Sequence, residues 1–520
     1  MEMFAVKLAN LPSKFAKSRS PFFLNLLYFL FFSFVGFLAL KISKPRTSSH
    51  LHDLDIFFTS VSAVTVSSMS TFNMEVLSNT QLIIVTLLMF LGGEVFTSML
   101  SLYFSHSVKM SQKIERFIRS FRLDQHDRKI ESSGPVVLYG DRRGNDVEST
   151  VGEGDDADEF KDRASRSLYS VVLGYLLVVH TIGSMLLLVY VTVVRTSREV
   201  LRSKGISLFT FSVFTTVSTF ANCGFVPTNE NMIVFRKNSG LLLLMIPQVL
   251  MGNTLFPCCL FLSIWALSKS TNRREFGYIL KNYKKMGYSH LLSSRHCLLL
   301  GATAFVFIIL QLVLFCSMEW KSQSLEGMSS YEKFVGSLFE VVNSRHAGES
   351  IVDLSTISQA ILVVFIIMMY LPPYTVFMPL TGEEEERGDD DNGDQVKKGG
   401  KKESVVERIL MSQLGFLSIF VILISITERH MLRRDPLNFN VLNIILEVIS
   451  AYGNVGFTAG YSCERRLNAG DGHCEDAWYG FAGRWSPAGK FILIIVMFFG
   501  RLKQFTANSG KSWILYPSSS

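Results

Sequence analysis

Charged residues are scarce in this chain, and the short motifs of common enzymes are missing. Asp, Glu, Lys and Arg make up 18% of its 520 residues, whereas a soluble domain has roughly a quarter. No HExxH, GxSxG or P-loop pattern occurs in the sequence, which argues against an enzyme and against transport driven by ATP hydrolysis. Five of the seven cysteines lie in or beside apolar segments without metal-ligand spacing, so no cofactor is expected. The modest net charge of +7 fits cytoplasmic loops better than a nucleic-acid interface.

Long apolar runs are abundant instead and predict an integral membrane protein that lies in a lipid bilayer. Eight of them fall at roughly 21–40, 81–104, 168–193, 240–268, 295–318, 357–379, 406–427 and 487–507. A run of about 20 apolar residues is long enough to cross a bilayer as a helix. Eight spans put both termini on one side. Basic residues before the first span and in the even-numbered connections predict that this side is the cytoplasm.

The odd-numbered connections contain a second, repeated pattern. Each has a moderately apolar stretch too short to span a bilayer, followed by small polar residues, which predicts a re-entrant half-helix and a loop at membrane depth. The four stretches read FTSVSAVTVSSMST (58–71), FTTVSTFANCGFVP (214–227), LFEVVNSRHAGESI (338–351) and LEVISAYGNVGFTA (446–459). Four such stretches at equivalent places between pairs of spans indicate internal repetition.

Ser68, Gly224, Gly348 and Gly456 come into register when these stretches are aligned. A narrow pore must replace the hydration shell of an ion, and rings of backbone carbonyls do so. Glycine reaches the backbone angles that turn carbonyls toward a pore axis, and a half-helix directs its partially negative C-terminus at a cation. The pattern therefore predicts a filter for monovalent cations, which backbone carbonyls around these four residues would bind.

The filter segments resemble those of the plant HKT cation transporters, a family related to the bacterial Trk and Ktr potassium uptake systems. The resemblance rests on TVSSMST, STFANCGFVPTNENM, EVVNSRHAGE and SAYGNVGFTAGYSCERR, and it extends to MIPQVLMGNTLFPC (245–258) and the final WILYPSSS. It implies an all-α membrane protein with four membrane-pore-membrane repeats in pseudo-fourfold arrangement. Each chain would have eight transmembrane helices and four re-entrant pore half-helices, and two chains would form a homodimer.

This resemblance and the apolar runs divide the chain into consecutive parts. They are a cytoplasmic N-terminus (1–20), a first unit (21–104), a partly disordered cytoplasmic linker (105–167), a second unit (168–268), a cytoplasmic linker (269–294), a third unit (295–379), a charged cytoplasmic linker (380–405), a fourth unit (406–507) and a cytoplasmic C-terminus (508–520).

The resemblance also implies the transported ion. Family members with Ser at the first filter position resemble the Na+-selective subfamily, and members with Gly there admit K+ as well; this chain has Ser68. The implied function is passive Na+ entry through the plasma membrane of a plant cell, which would withdraw Na+ from the vascular stream and support salt tolerance. A K+ transporter or a Na+/K+ symporter on the same fold is the alternative. A membrane signalling protein that has lost its pore function is an alternative of another class.

Charged residues lie close to the predicted pore. Arg501 follows ten apolar residues of the last span, and Lys503 comes two residues later. A buried cation there predicts an electrostatic barrier in or under the pore, as the resemblance also suggests; the alternative is an Arg that snorkels to the cytoplasmic headgroups. His346 and Glu349 flank Gly348. One interpretation is that they attract cations or sense pH at the mouth of the pore. The other is that they pack and form hydrogen bonds within the protein.

Cys463 and Cys474 lie in a polar stretch that the topology places outside the cell. That compartment is oxidising, so a disulfide between them is one interpretation. Two free thiols on a loop are the other.

Overall fold

The described part of the molecule is helical, as the apolar runs predict. The computed structural model describes residues 21–47, 51–104, 152–376, 413–466, 474 and 476–503. Within these ranges the β structure consists of one isolated bridge, between Tyr461 and Ala477. The predicted terminal segments and the charged linker 380–405 lie outside the described residues.

The helices are numbered here in chain order. They are α1 (Pro21–Ile42), α2 (Asp53–Val64), α3 (Asn79–Gly92), α4 (Glu94–Phe104), α5 (Gly152–Val193), α6 (Arg195–Ser203), α7 (Leu208–Ala221), α8 (Ser239–Gly252), α9 (Phe256–Ser270), α10 (Arg274–Lys281), α11 (Ser294–Glu319), α12 (Ser330–Asn343), α13 (Gln359–Tyr370), α14 (Gln413–Thr427), α15 (Arg429–Arg434), α16 (Val441–Gly453) and α17 (Pro487–Leu502).

Two compact units make up the described chain. The described residues of the smaller unit lie within Val95–Leu177 and Cys259–Ser293. It is held together by contacts such as the 3.0 Å approach of the Ser98 and Tyr288 hydroxyls. The larger consists of Pro21–Glu94, Val178–Cys258 and the described residues from Ser294 onward. All four predicted filter positions belong to the larger unit.

The larger unit is built from four successive groups of an outer helix, a short pore helix and an inner helix. The pore helices are α2, α7, α12 and α16, and the inner helices that follow them are α3, α8, α13 and α17. Each pore helix packs against the inner helix of the preceding group: α7 against α3, α12 against α8, and α16 against α13. The last inner helix, α17, packs against the first pore helix, α2. This final contact closes the four groups into a ring.

Capping residues explain where several of these helices begin. The Ser78 side chain accepts a hydrogen bond from the backbone of Gln81, whose side chain accepts one in return from the Ser78 backbone. Ser329 and Glu332 make the same reciprocal pair before α12. Such capping boxes satisfy backbone donors that a helix N-terminus leaves without partners. They define the start of an inner helix and a pore helix that lie next to the proposed ion path.

The described residues account for five of the eight predicted spans by length and composition. Three single helices are long and apolar enough to cross a membrane: Phe22–Ile42, Glu159–Val193 and Ser294–Glu319. Two bent pairs of helices also qualify when each pair is taken as one span, namely α3 with α4 and α8 with α9. The other three predicted spans coincide with the shorter apolar helices α13, α14 and α17.

The helix α5 is longer than the apolar run predicted at 168–193. It begins at Gly152, inside the segment 105–167 that is predicted as a partly disordered linker. Its first residues read GEGDDADEFKDRASRS, in which Ala, Glu, Lys and Arg favour a helix even though the segment is polar. A polar helical extension therefore precedes the apolar span. Residues 105–151 lie outside the described part of the chain.

Candidate ion pathway

All four filter positions have a left-handed backbone. The φ angles are +53° at Ser68, +83° at Gly224, +67° at Gly348 and +99° at Gly456. Glycine adopts this region without a penalty, whereas a residue with a Cβ is strained there by about 1–2 kcal/mol. Ser68 thus has the same unusual conformation as the three glycines aligned with it, and it bears a side chain in a place where the other segments bear none.

The four residues lie side by side in a closed ring. A Cβ added to Gly224 would clash with the carbonyl oxygen of Ala347, and one added to Gly348 would lie 2.6 Å from the carbonyl carbon of Gly456. A Cβ added to Gly456 would clash with the Cβ of Ser68, and the Ser68 hydroxyl lies 3.4 Å from the Cβ position of Gly224. Each segment therefore touches the next, and side chains larger than those present would not fit.

The pore helices direct their C-termini at this ring. They end at Val64, Ala221, Asn343 and Gly453, three to five residues before the filter position of each repeat. Asn222 and Asn454 cap two of them in a left-handed conformation, which Asn tolerates better than most residues. The partial negative charge at four helix ends makes the ring a favourable place for a cation.

Two buried carboxylates brace the third and fourth filter segments from behind. Glu340 accepts hydrogen bonds from the backbone of Ile351 and the hydroxyl of Ser350, both at 2.9 Å. Glu447 accepts from the Thr458 hydroxyl and, at 3.3 Å, from the backbone of Ala459. Both carboxylates therefore hold the chain two and three residues beyond the filter glycine. Sequence reasoning missed them, although an acid in an apolar half-helix is a signal that could have indicated them.

Glycines bring three inner helices against the backbone of the pore helices. A Cβ on Gly92, Gly252 or Gly500 would clash with the carbonyl oxygens of Val64, Phe220 and Tyr452, respectively. Each of these carbonyls lies four residues before a filter position. The inner helices thus approach the filter segments at backbone distance. The third repeat has no glycine in this role. There Arg345 donates hydrogen bonds to the carbonyl oxygens of Pro372 and Pro373, the latter at 3.2 Å.

A cavity of about 30 Å³ lies next to Asn222 and Asn454, the residues at which two of the pore helices end. Three cationic side chains, Arg345, Arg501 and Lys503, line it together with the carboxylate of Glu94. The predicted barrier residues Arg501 and Lys503 are therefore brought together at this place. Sequence reasoning did not identify Arg345 or Glu94 as parts of it.

The two predicted barrier residues are held by backbone carbonyls and aromatic rings. Arg501 is 2% exposed, donates a hydrogen bond to the carbonyl oxygen of Gly92 and lies 5.5 Å from the ring centre of Phe29. Lys503 donates to the carbonyl oxygen of Tyr452 at 3.1 Å and lies over the ring of the same residue. In this structure the Arg501 side chain lies inside the protein and not at the surface that would face lipid.

Ion pairs connect neighbouring repeats. They are Lys490 with Asp55 at 2.7 Å, Lys204 with Glu75 at 2.6 Å and Arg465 with Asp353 at 3.6 Å. Partial burial alone would lower the pKa of Lys204, but hydrogen bonds to Glu230 and Glu75 outweigh that effect and raise it. Lys204 therefore stays protonated and keeps the first two repeats connected.

Cys463 and Cys474 are joined in a disulfide. It closes a short loop after the fourth filter segment.

Comparisons with known proteins show which family the chain belongs to. A family model for TrkH, described as a cation transport protein, matches residues 136–512. The sodium transporter HKT1 of Arabidopsis thaliana is 64% identical over 485 residues, which cover 93% of this chain and 92% of that protein. The cation transporter HKT1;3 of Oryza sativa subsp. japonica is 47% identical, with 96% of this chain and 93% of the relative covered.

A solved structure is also similar. The crystal structure of the potassium transporter TrkH from Vibrio parahaemolyticus matches with a TM-score of 0.48 and 14% identity, covering 94% of this chain and 83% of that chain. The family match and the identity to curated transporters identify the chain as a member of the TrkH family of cation transport proteins.

Proposed function

We propose that this chain conducts Na+ passively across the plasma membrane through the ring formed by Ser68, Gly224, Gly348 and Gly456. The observation that carries the proposal is the left-handed backbone at all four positions, in segments that touch one another in a closed ring. An ion that enters such a ring exchanges its water ligands for carbonyl oxygens. Four helix C-termini pointing at the ring offset the remaining cost of dehydration.

The choice of Na+ rests on Ser68 and on the relatives. Ser68 places a Cβ and a hydroxyl beside Gly456 and Gly224, which supports a ring narrower on this side than four glycines would form. The Arabidopsis relative, 64% identical, is named a sodium transporter. Together these observations favour Na+ over K+ as the main transported ion, with a role in plant sodium homeostasis and salt tolerance.

Arg501 and Lys503 would act as an electrostatic barrier to ions that have passed the filter. They line the cavity next to Asn222 and Asn454, where an approaching cation meets like charge in a poorly hydrated site. Glu94 in the same cavity reduces this repulsion. The barrier would therefore limit the current without abolishing it.

The orientation and assembly that we propose follow from the charge pattern and the family. Both termini would be cytoplasmic, and the disulfide of Cys463 and Cys474 would face the oxidising exterior. Two chains would form a homodimer with a complete ring in each, because all four filter segments belong to one chain.

Sodium flux into proteoliposomes tests the passive mechanism. We expect purified chain to take up radioactive sodium without any nucleotide, at a rate that rises when a K+ gradient with valinomycin makes the interior negative. A Gly456→Ala variant is the matched control and should show no uptake, because its Cβ would clash with Ser68. Uptake that requires a nucleotide, or that ignores the membrane potential, would contradict the proposal.

A further inference from the structure

Glu349, the residue directly after the third filter glycine, is completely buried. Its exposed fraction is 0%, so it does not act at an open mouth of the pore, which was one interpretation of its position in the sequence. Its Oε1 accepts a hydrogen bond from the hydroxyl of Thr219 at 2.6 Å. Thr219 lies on the pore helix α7, five residues before Gly224. This contact therefore joins the third filter segment to the pore helix of the second repeat.

The bond lies behind the edge at which the second and third segments meet. At that edge Gly224 packs against the carbonyl oxygen of Ala347, two residues before Glu349. The opposite edge of the ring has a comparable connection, in which the Asn454 side chain donates to the hydroxyl of Ser67 at 2.7 Å. Two side-chain bonds thus connect two opposite edges of the ring, and one of them involves a carboxylate.

A single hydrogen bond orients this carboxylate. The second oxygen, Oε2, has no hydrogen-bond partner among the described residues. In a buried setting, losing this bond leaves a poorly solvated acceptor, which costs more than an average hydrogen bond contributes. The position of the third segment relative to the second therefore depends strongly on the Thr219 hydroxyl.

We propose that Glu349 is a positioning residue that sets the ion selectivity of the filter, by fixing the third segment against the second through the Thr219 hydroxyl. This inference rests on the proposed function. Carbonyl spacing across this edge determines how well the ring matches the size of an ion, so loosening the bond lets the ring adapt to the larger K+. Glu349 acts through the backbone of its own segment and need not touch the ion.

Four variants test the inference by reversal potentials in voltage-clamped oocytes with external Na+ and K+ exchanged. Thr219→Val removes the donor at nearly constant volume and should lower the Na+/K+ permeability ratio about tenfold, which corresponds to about 1.4 kcal/mol, the upper end of what one hydrogen bond contributes. Thr219→Ser keeps the donor and should retain the wild-type ratio. Glu349→Leu removes the acceptor, and the double variant of Thr219→Val with Glu349→Leu completes a cycle, in which the double variant should lower the ratio by less than the product of the single effects.

A permeability ratio does not depend on the number of channels, so reduced expression alone cannot mimic the expected result. An unchanged ratio in Thr219→Val would overturn the inference, whether Glu349→Leu changes the ratio or not, because Glu349 would then act without the bond. Multiplicative effects in the cycle would overturn it as well. If wild type itself shows no preference for Na+, the proposed function fails instead, and this outcome is visible before any variant is compared.

Discussion

Replacing Ser68 by glycine is expected to raise the K+/Na+ permeability ratio about tenfold, which corresponds to a change of about 1.4 kcal/mol in relative ion stabilisation. The change removes the side chain that lies between Gly456 and Gly224 in the ring. It also relieves the left-handed strain at φ +53°, because glycine populates this region freely. The segment gains room and freedom, and both favour the larger ion.

Ser68→Ala is the matched control for this variant. It removes the hydroxyl but keeps the Cβ that approaches Gly456, so selectivity close to wild type is expected if the Cβ is what restricts the ring. Reversal potentials in oocytes with exchanged external Na+ and K+ report the ratio for all three proteins. If Ser68→Gly has the wild-type ratio, Ser68 has no part in ion selection.

Neutralising Arg501 is the second change with a large expected effect. For illustration, at an effective dielectric constant of about 20 two like unit charges roughly 8 Å apart repel each other by about 2 kcal/mol. Glu94 in the same cavity offsets part of this repulsion. Arg501→Gln should therefore increase the Na+ current by about tenfold and change its rectification. Current–voltage curves normalised to surface expression measure both.

Arg501→Lys separates charge from structure in this experiment. The Arg501 side chain also donates to the carbonyl oxygen of Gly92 and packs over Phe29, so any substitution disturbs packing to some extent. Lysine keeps the charge and a donor, and its currents should stay near those of wild type. Wild-type currents and rectification in Arg501→Gln, at equal surface expression, would show that Arg501 is no barrier.

Much of the architecture could be predicted from the sequence, because short segments within each of the four repeats determine the local structure. The residues next to Ser68, Gly224, Gly348 and Gly456 are enough to align these four positions. All four have a left-handed backbone in the structure. Half-helices were predicted from apolar stretches too short to span the membrane, and the pore helices α2, α7, α12 and α16 lie there. Local patterns of this kind are visible in one sequence without any knowledge of the fold.

Contacts between repeats could not be predicted in the same way. The Thr219–Glu349 bond joins residues 130 positions apart, and Asn454 reaches Ser67 across 387 positions. The sequence does not indicate a role for Arg345. Its position in the cavity depends on hydrogen bonds to Pro372 and Pro373, which follow the inner helix α13. The start of α5 at Gly152 has no clear signal in the sequence, because a polar segment of helix-forming residues resembles a linker in composition.

The reversal potential of wild-type currents in voltage-clamped oocytes, with external Na+ and K+ exchanged in turn, tests the central claim most directly. A Na+ pathway through the ring of Ser68, Gly224, Gly348 and Gly456 predicts a reversal potential that follows external Na+ and is insensitive to K+. A reversal potential that follows both ions would leave the fold and the filter in place but contradict Na+ selectivity. An absence of any current at normal surface expression would contradict the conducting function itself.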